Sequence, residues 1–100
     1  MQEKVKLIIN AIPNKENMPE VQSYLGNMMP VISKHGGSVV QRYKTIEQLA
    51  GENSPEMIVI FEFPDAQSIK TMIDSDGFQG LAESRAKAFT HLNLMICGEM

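Results

Sequence analysis

The sequence predicts an α+β domain whose elements run β-α-β-β-α-β. Three observations carry that prediction. Four short segments, 4–11, 38–45, 57–63 and 91–97, either alternate their side chains or run apolar over the length of a strand. Two other segments repeat apolar residues at three- and four-residue steps, as one face of a helix requires. One hundred residues, 43% of them hydrophobic, supply one core with little to spare, so a single domain spanning 1–100 is expected.

In the first strand Val5, Leu7, Ile9 and Ala11 alternate with Lys6, Ile8 and Asn10. Pro13 and Asn14 end it, and Asn17 with Glu20 forms a capping box for the first helix. Met18, Val21, Leu25, Met28 and Ile32 mark the buried stripe of that helix. Pro30 lies inside it and crowds the carbonyl of Gly26, which predicts a kink there. His35-Gly36-Gly37 supplies a glycine C-cap. The second strand sets Val39, Gln41 and Tyr43 against Val40 and Arg42. Gly51, Asn53 and Pro55 then mark a turn. The third strand, Met57-Ile58-Val59-Ile60-Phe61-Glu62-Phe63, is apolar apart from one carboxylate. Asp65 is an N-cap for a helix carrying Ile69, Met72 and Ile73. Asp74-Ser75-Asp76-Gly77 interrupts that helix, and Phe78, Leu81, Ala82 and Ala86 continue it. Leu92, Leu94 and Ile96 define the inner side of the last strand. This order is the ferredoxin-like split βαβ unit, an antiparallel sheet with helices on one face.

Alternation sorts the strand residues into two faces. Val5, Leu7, Ile9, Val59, Phe61, Phe63, Leu92, Leu94 and Ile96 belong under the helices. The opposite face receives Ile8, Asn10, Val40, Arg42, Ile58, Ile60, Glu62, His91, Asn93 and Met95. That face is too apolar to be left wet, and the simplest cover is a second copy related by two-fold symmetry. A homodimer of this kind encloses polar groups in an apolar cleft, the usual design of a small-molecule site.

Composition excludes several functions. Net charge is −3 and no basic block is present, which argues against nucleic-acid binding. Cys97 is the only cysteine, so neither an intrachain disulfide nor a cysteine metal site forms, and two distant histidines have no metal spacing. No apolar stretch suits a signal peptide or a membrane span, and a cytoplasmic protein is expected. Phosphate-binding and dinucleotide motifs are absent, so no cofactor is expected. The β-α-β-β-α-β order is shared with RNA-recognition domains, but Phe61 and Phe63 fall on the helix side, away from any RNA-binding face.

The run Gly36-Gly37, Arg42, Val59-Ile60-Phe61-Glu62-Phe63-Pro64, Ser75-Asp76-Gly77-Phe78, Leu81 and Arg85 resembles the domain of unknown function 1330 family, of the dimeric α/β-barrel superfamily. The resemblance spans nearly the whole chain. It implies a ferredoxin-like protomer and a barrel dimer with a cleft near the central sheet, and it supplies no reaction. Relatives often carry Tyr where Phe78 stands and Glu where Ala50 precedes Gly51.

Glu62 is the first candidate for catalysis, because a carboxylate in an apolar strand has its pKa raised and suits acid-base work. The plainer reading makes it the ion-pair partner of Arg42 or Arg85. Arg42 could clamp a carboxylate in bidentate fashion, and Arg85 could assist or merely complement a helix C-terminus. His91 is a candidate acid-base group or a solvated strand-edge residue. Asn93 and Asn10 are candidate ligand contacts, since a buried amide needs partners. Tyr24 is read either as reaching over a cleft or as lying at the surface. Two functions follow: a cofactor-independent enzyme or binder of a small anionic or phenolic ligand at a homodimer interface, or a non-enzymatic dimeric module with a structural Glu–Arg pair. Oxygenation of an activated phenolic and isomerisation of a small acid are the reactions that fold analogy suggests.

Overall fold

The computed structural model describes residues 4–52 and 54–100; Asn53, expected in a turn, lies outside them. Four strands form one antiparallel sheet in the order β2-β3-β1-β4. They are β1 (Val5–Pro13), β2 (Ser38–Lys44), β3 (Met57–Phe63) and β4 (Phe89–Cys97). Helix α1 (Met18–Lys34) follows β1 after a 3-10 turn, while α2 (Ala66–Asp74), α3 (Asp76–Gln79) and α4 (Ala82–Ala88) lie between β3 and β4. The predicted order and the ferredoxin-like arrangement are observed, with the second helix broken at Ser75. There Ser75 Oγ donates to the Met72 carbonyl and accepts from Phe78 N–H, closing one helix and opening the next.

The core lies between the helices and one sheet face. Leu7, Ala11, Phe61 and Phe63 meet Val21, Tyr24, Met28 and Ile32 of α1 and Ile69 and Met72 of α2. The molecule is only 18 Å across its thin dimension, which is one sheet and one helical layer. None of the described residues covers the other face.

Several local expectations hold and two do not. Asp65 Oδ1 accepts from Ser68 N–H at 2.7 Å, the predicted cap of α2. Gly36 takes φ +87°, the left-handed C-cap conformation. Gly37 is demanded by packing: a Cβ there would lie 2.5 Å from the Phe63 ring and 2.6 Å from Ile32. The capping box at Asn17 does not form. Its side chain instead donates to the Lys87 carbonyl at 3.4 Å, and Asn14 caps the preceding 3-10 turn by accepting from Glu16 N–H. Tyr24 is buried rather than superficial, turning the α1 stripe to Val21, Tyr24, Met28 and Ile32.

The larger departure is in β2. Ser38 pairs with Glu62 and Val39 with Phe61, but Gln41 then pairs with Ile60 and Arg42 with Val59. Val40 is the extra residue of a β-bulge. One inserted residue reverses the alternation beyond it. Arg42 therefore shares the helix side of the sheet with Val59, and Gln41 and Tyr43 take the outer face.

Candidate functional site

The bulge separates residues that simple alternation placed together. Glu62 stays on the outer face, where Lys6 Nζ donates to Oε2 at 2.7 Å and Lys4 Nζ lies 3.3 Å from Oε1. The expected Glu62–Arg42 pair is absent. The hydrogen bond from Lys6, then that from Lys4, hold the Glu62 carboxyl below its ordinary pKa, the reverse of the upward shift expected of a buried acid. The strand is less enclosing than its apolar sequence implies, because the outer face is uncovered.

Arg85 is not a partner of Glu62 either. Its Nε donates to the Tyr24 hydroxyl at 2.9 Å and its NH2 group to the Phe78 carbonyl at 3.0 Å. The guanidinium carbon lies 3.9 Å from the centre of the Phe78 ring. Tyr24 in turn meets the Phe89 ring edge-on at 5.4 Å. This cluster ties α1, α3, α4 and β4 together, so Arg85 has a packing role in full view.

Asn10 and Asn93 face each other across β1 and β4, with Asn93 Nδ2 donating to Asn10 Oδ1 at 3.0 Å. Together with His91, Ile12 and Pro55 they line a small polar pocket of about 120 Å3 on the outer face. The structure thus brings Asn10, Asn93 and His91 together and leaves Glu62, Arg42 and Arg85 in three other places.

A second cavity lies inside the chain, between α1 and the sheet, with a volume of about 340 Å3. Leu25, Met28 and Ile32 form its helical wall, and Ile9, Val59 and Phe61 its floor. Gly26 lies at its edge, where an added Cβ would meet no atom within 4 Å. Gln22 and Tyr24 add polar atoms. Arg42 is the one charged residue of the lining, and it forms no ion pair among the described residues. Sequence reasoning missed this cavity. Its signals were Gly26 and Pro30 together, which thin the helix and remove one backbone donor. Among the described residues no cluster of three metal-ligating side chains occurs, and no helix is long and apolar enough to cross a membrane.

A family model described as a domain of unknown function (DUF1330) matches residues 7–100. This chain belongs to the DUF1330 family. No curated protein matches it. Solved structures resemble the DUF1330 chain in fold. A protein of unknown function from Rhodopseudomonas palustris aligns with a TM-score of 0.83 at 15% identity, over 100% of this chain and 85% of its own. A putative antibiotic biosynthesis monooxygenase from Bacteroides thetaiotaomicron gives 0.70 at 16% identity, over 98% and 90%. A dimeric protein of unknown function and ferredoxin-like fold from Bacteroides fragilis gives 0.59 at 9% identity, over 94% of each chain. At such identities the likeness establishes the ferredoxin-like fold of the DUF1330 chain and nothing finer.

Proposed function

We propose that this DUF1330 domain binds a small molecule with an apolar body and an anionic or phenolic end, in the cavity between α1 and the sheet. The observation that carries this reading is Arg42, the one charged residue of a mostly apolar lining and without an ion pair among the described residues. A volume of about 340 Å3 is at the small end of the range for ligand sites, roughly 300–1,000 Å3. An arginine there holds a carboxylate or phenolate through charge-assisted hydrogen bonds while the methionine and leucine walls accept the body. The polar pocket at Asn10, His91 and Asn93 offers about 120 Å3, room for roughly four waters at ~30 Å3 each, so it suits solvent better than a ligand.

The second part of the reading is a homodimer joined through the uncovered sheet face. Ile8, Ile58 and Ile60 are only half-buried there, and Met95 and Tyr43 are exposed. One structural neighbour is described as dimeric. Another is described as a putative monooxygenase, which makes oxygenation of a phenolic the first reaction to assay once a ligand is known. A purely regulatory binding module would use the same cavity without turnover.

The test is fluorescence titration with two probes of similar shape, anionic 8-anilinonaphthalene-1-sulfonate and neutral N-phenyl-1-naphthylamine. Arg42→Met is expected to weaken the anionic probe about tenfold, the worth of one charge-assisted hydrogen bond, and to leave the neutral probe unchanged. Equal losses for both probes, or no binding of either by the wild type, would overturn the assignment.

A further inference from the structure

Two large apolar side chains stand almost bare among the described residues. Ile46 is 98% exposed and Leu49 is 88% exposed, both on the arm of residues 45–56 that joins β2 to β3. Among the described residues, only the base of the arm is held. Thr45 N–H donates to the Glu56 carbonyl, Glu56 N–H donates to the Ala11 carbonyl, and Lys15 Nζ lies 2.9 Å from Glu56 Oε1. The strand that leads into the arm, β2, is exposed over its whole length. Single exposed apolar residues are ordinary, but a nearly bare Ile and Leu three positions apart, at the end of an open edge strand, form an unpartnered tip.

The size of the sheet indicates what the tip is for. Strands of nine, seven, seven and nine residues, at about 4.8 Å spacing and about 3.3 Å per residue, give a face of roughly 500 Å2 in projection. A stable specific interface buries about 800 Å2 per partner, so the sheet face by itself falls short. The arm is the nearest surface able to supply the difference.

The register limits where the arm can go. A two-fold axis between two outer faces, parallel to the strands, reverses the order β2-β3-β1-β4 and lays β2 of one copy over β4 of the other. It lays β3 over β1 as well, so Glu62 of one copy meets Lys6 of the next, and the charges complement each other. Positions along the strands are kept. Lys44 is level with Met57, Ala11 and Leu92, and His91 lies one step further on, opposite Ile12. The arm therefore leaves β2 at the level of His91 in the other copy.

We propose that residues 45–52 are a clasp that crosses the β4 edge of a second copy, seating Ile46 and Leu49 against its His91 end and roofing the pocket of Asn10, His91 and Asn93. The clasp rests on the homodimer reading above and adds to it a reciprocal arm contact. It also accounts for a polar pocket that opens to solvent in the isolated chain.

Sedimentation and cysteine cross-linking test the two readings separately. The wild type is expected to sediment as a dimer, and Ile46→Ser/Leu49→Ser to weaken self-association by at least about a hundredfold. Circular dichroism should show the variant folded, since both side chains stand almost bare among the described residues. In a Cys97→Ser background, Leu49→Cys chains mixed with His91→Cys chains are expected to form a disulfide between differently tagged copies. A monomeric wild type overturns both the dimer and the clasp. A dimer indifferent to the arm substitutions overturns the clasp alone. Weakened association without the cross-link overturns the seat at His91.

Discussion

Lys6 Nζ lies 2.7 Å from Glu62 Oε2, and the two residues face each other directly across the β1–β3 register. The strand carboxylate is thus neutralised by its cross-strand neighbour, with Lys4 as a second cation at 3.3 Å. Its lowered pKa fixes the sign of a pH effect. A group with a folded pKa below its unfolded value stabilises the fold above the unfolded value, about 4.3 for glutamate. That contribution is lost as pH falls through the lower folded value. Glu62→Gln should therefore melt below the wild type at neutral pH, and the two melting temperatures should converge in acid. A gap that widens below pH ~4 would mean that the carboxyl is instead held protonated.

Arg85 is expected to behave as a packing residue. Arg85→Met forfeits the bonds to the Tyr24 hydroxyl and the Phe78 carbonyl, and should cost about 2 kcal/mol in urea denaturation. Lysine should not restore it, since an ammonium cannot stack on Phe78 while reaching both oxygens. Full stability of Arg85→Lys would count against that geometry.

Gly37→Ala is expected to be costly although it adds only a methyl group. The new Cβ would lie 2.5 Å from a Phe63 ring carbon and 2.6 Å from Ile32, both in the core. Overpacking of this kind costs roughly 1–3 kcal/mol. A denaturation midpoint unchanged from the wild type would show that Phe63 can move aside.

Gly26→Leu should do the opposite. A Cβ at Gly26 meets open space, and replacing a helical glycine gains about 0.5–1 kcal/mol. The larger side chain would also reach the edge of the α1–sheet cavity. A raised melting point together with lost binding of the anionic probe is the expected pair of results. Retained probe binding would move the ligand elsewhere.

Much of this fold was legible because its signals are local. Three period-two segments and one apolar run marked all four strands, Asp65 marked the start of α2, and Asp74-Ser75-Asp76-Gly77 marked its interruption. The site was harder, because sites depend on which face a side chain takes. Val40 carries no mark that makes it a bulge, yet it decides that Arg42 leaves Glu62 and joins Val59. Tyr24 fell outside the expected stripe of α1 for a similar reason. Its burial depends on Phe89 and Arg85, which lie 65 and 61 residues away in sequence. Glu62 was singled out for its apolar neighbours along the strand, whereas its environment is set by two lysines on the facing segment.

The bulge at Val40 also makes the chemistry of the cavity tolerant of a change in chain length. Between Val39 and Gln41 the strand carries one residue more than β3 opposite it, and the pairings on either side are those of an unbroken ladder. Without Val40, Val39 would still face Phe61, Gln41 would face Ile60 and Arg42 would face Val59, so the cation would keep its place at the cavity. Within a fold of this kind, an edge strand can gain or lose one residue at a bulge while the ligand-facing side chains beyond it stay where they are.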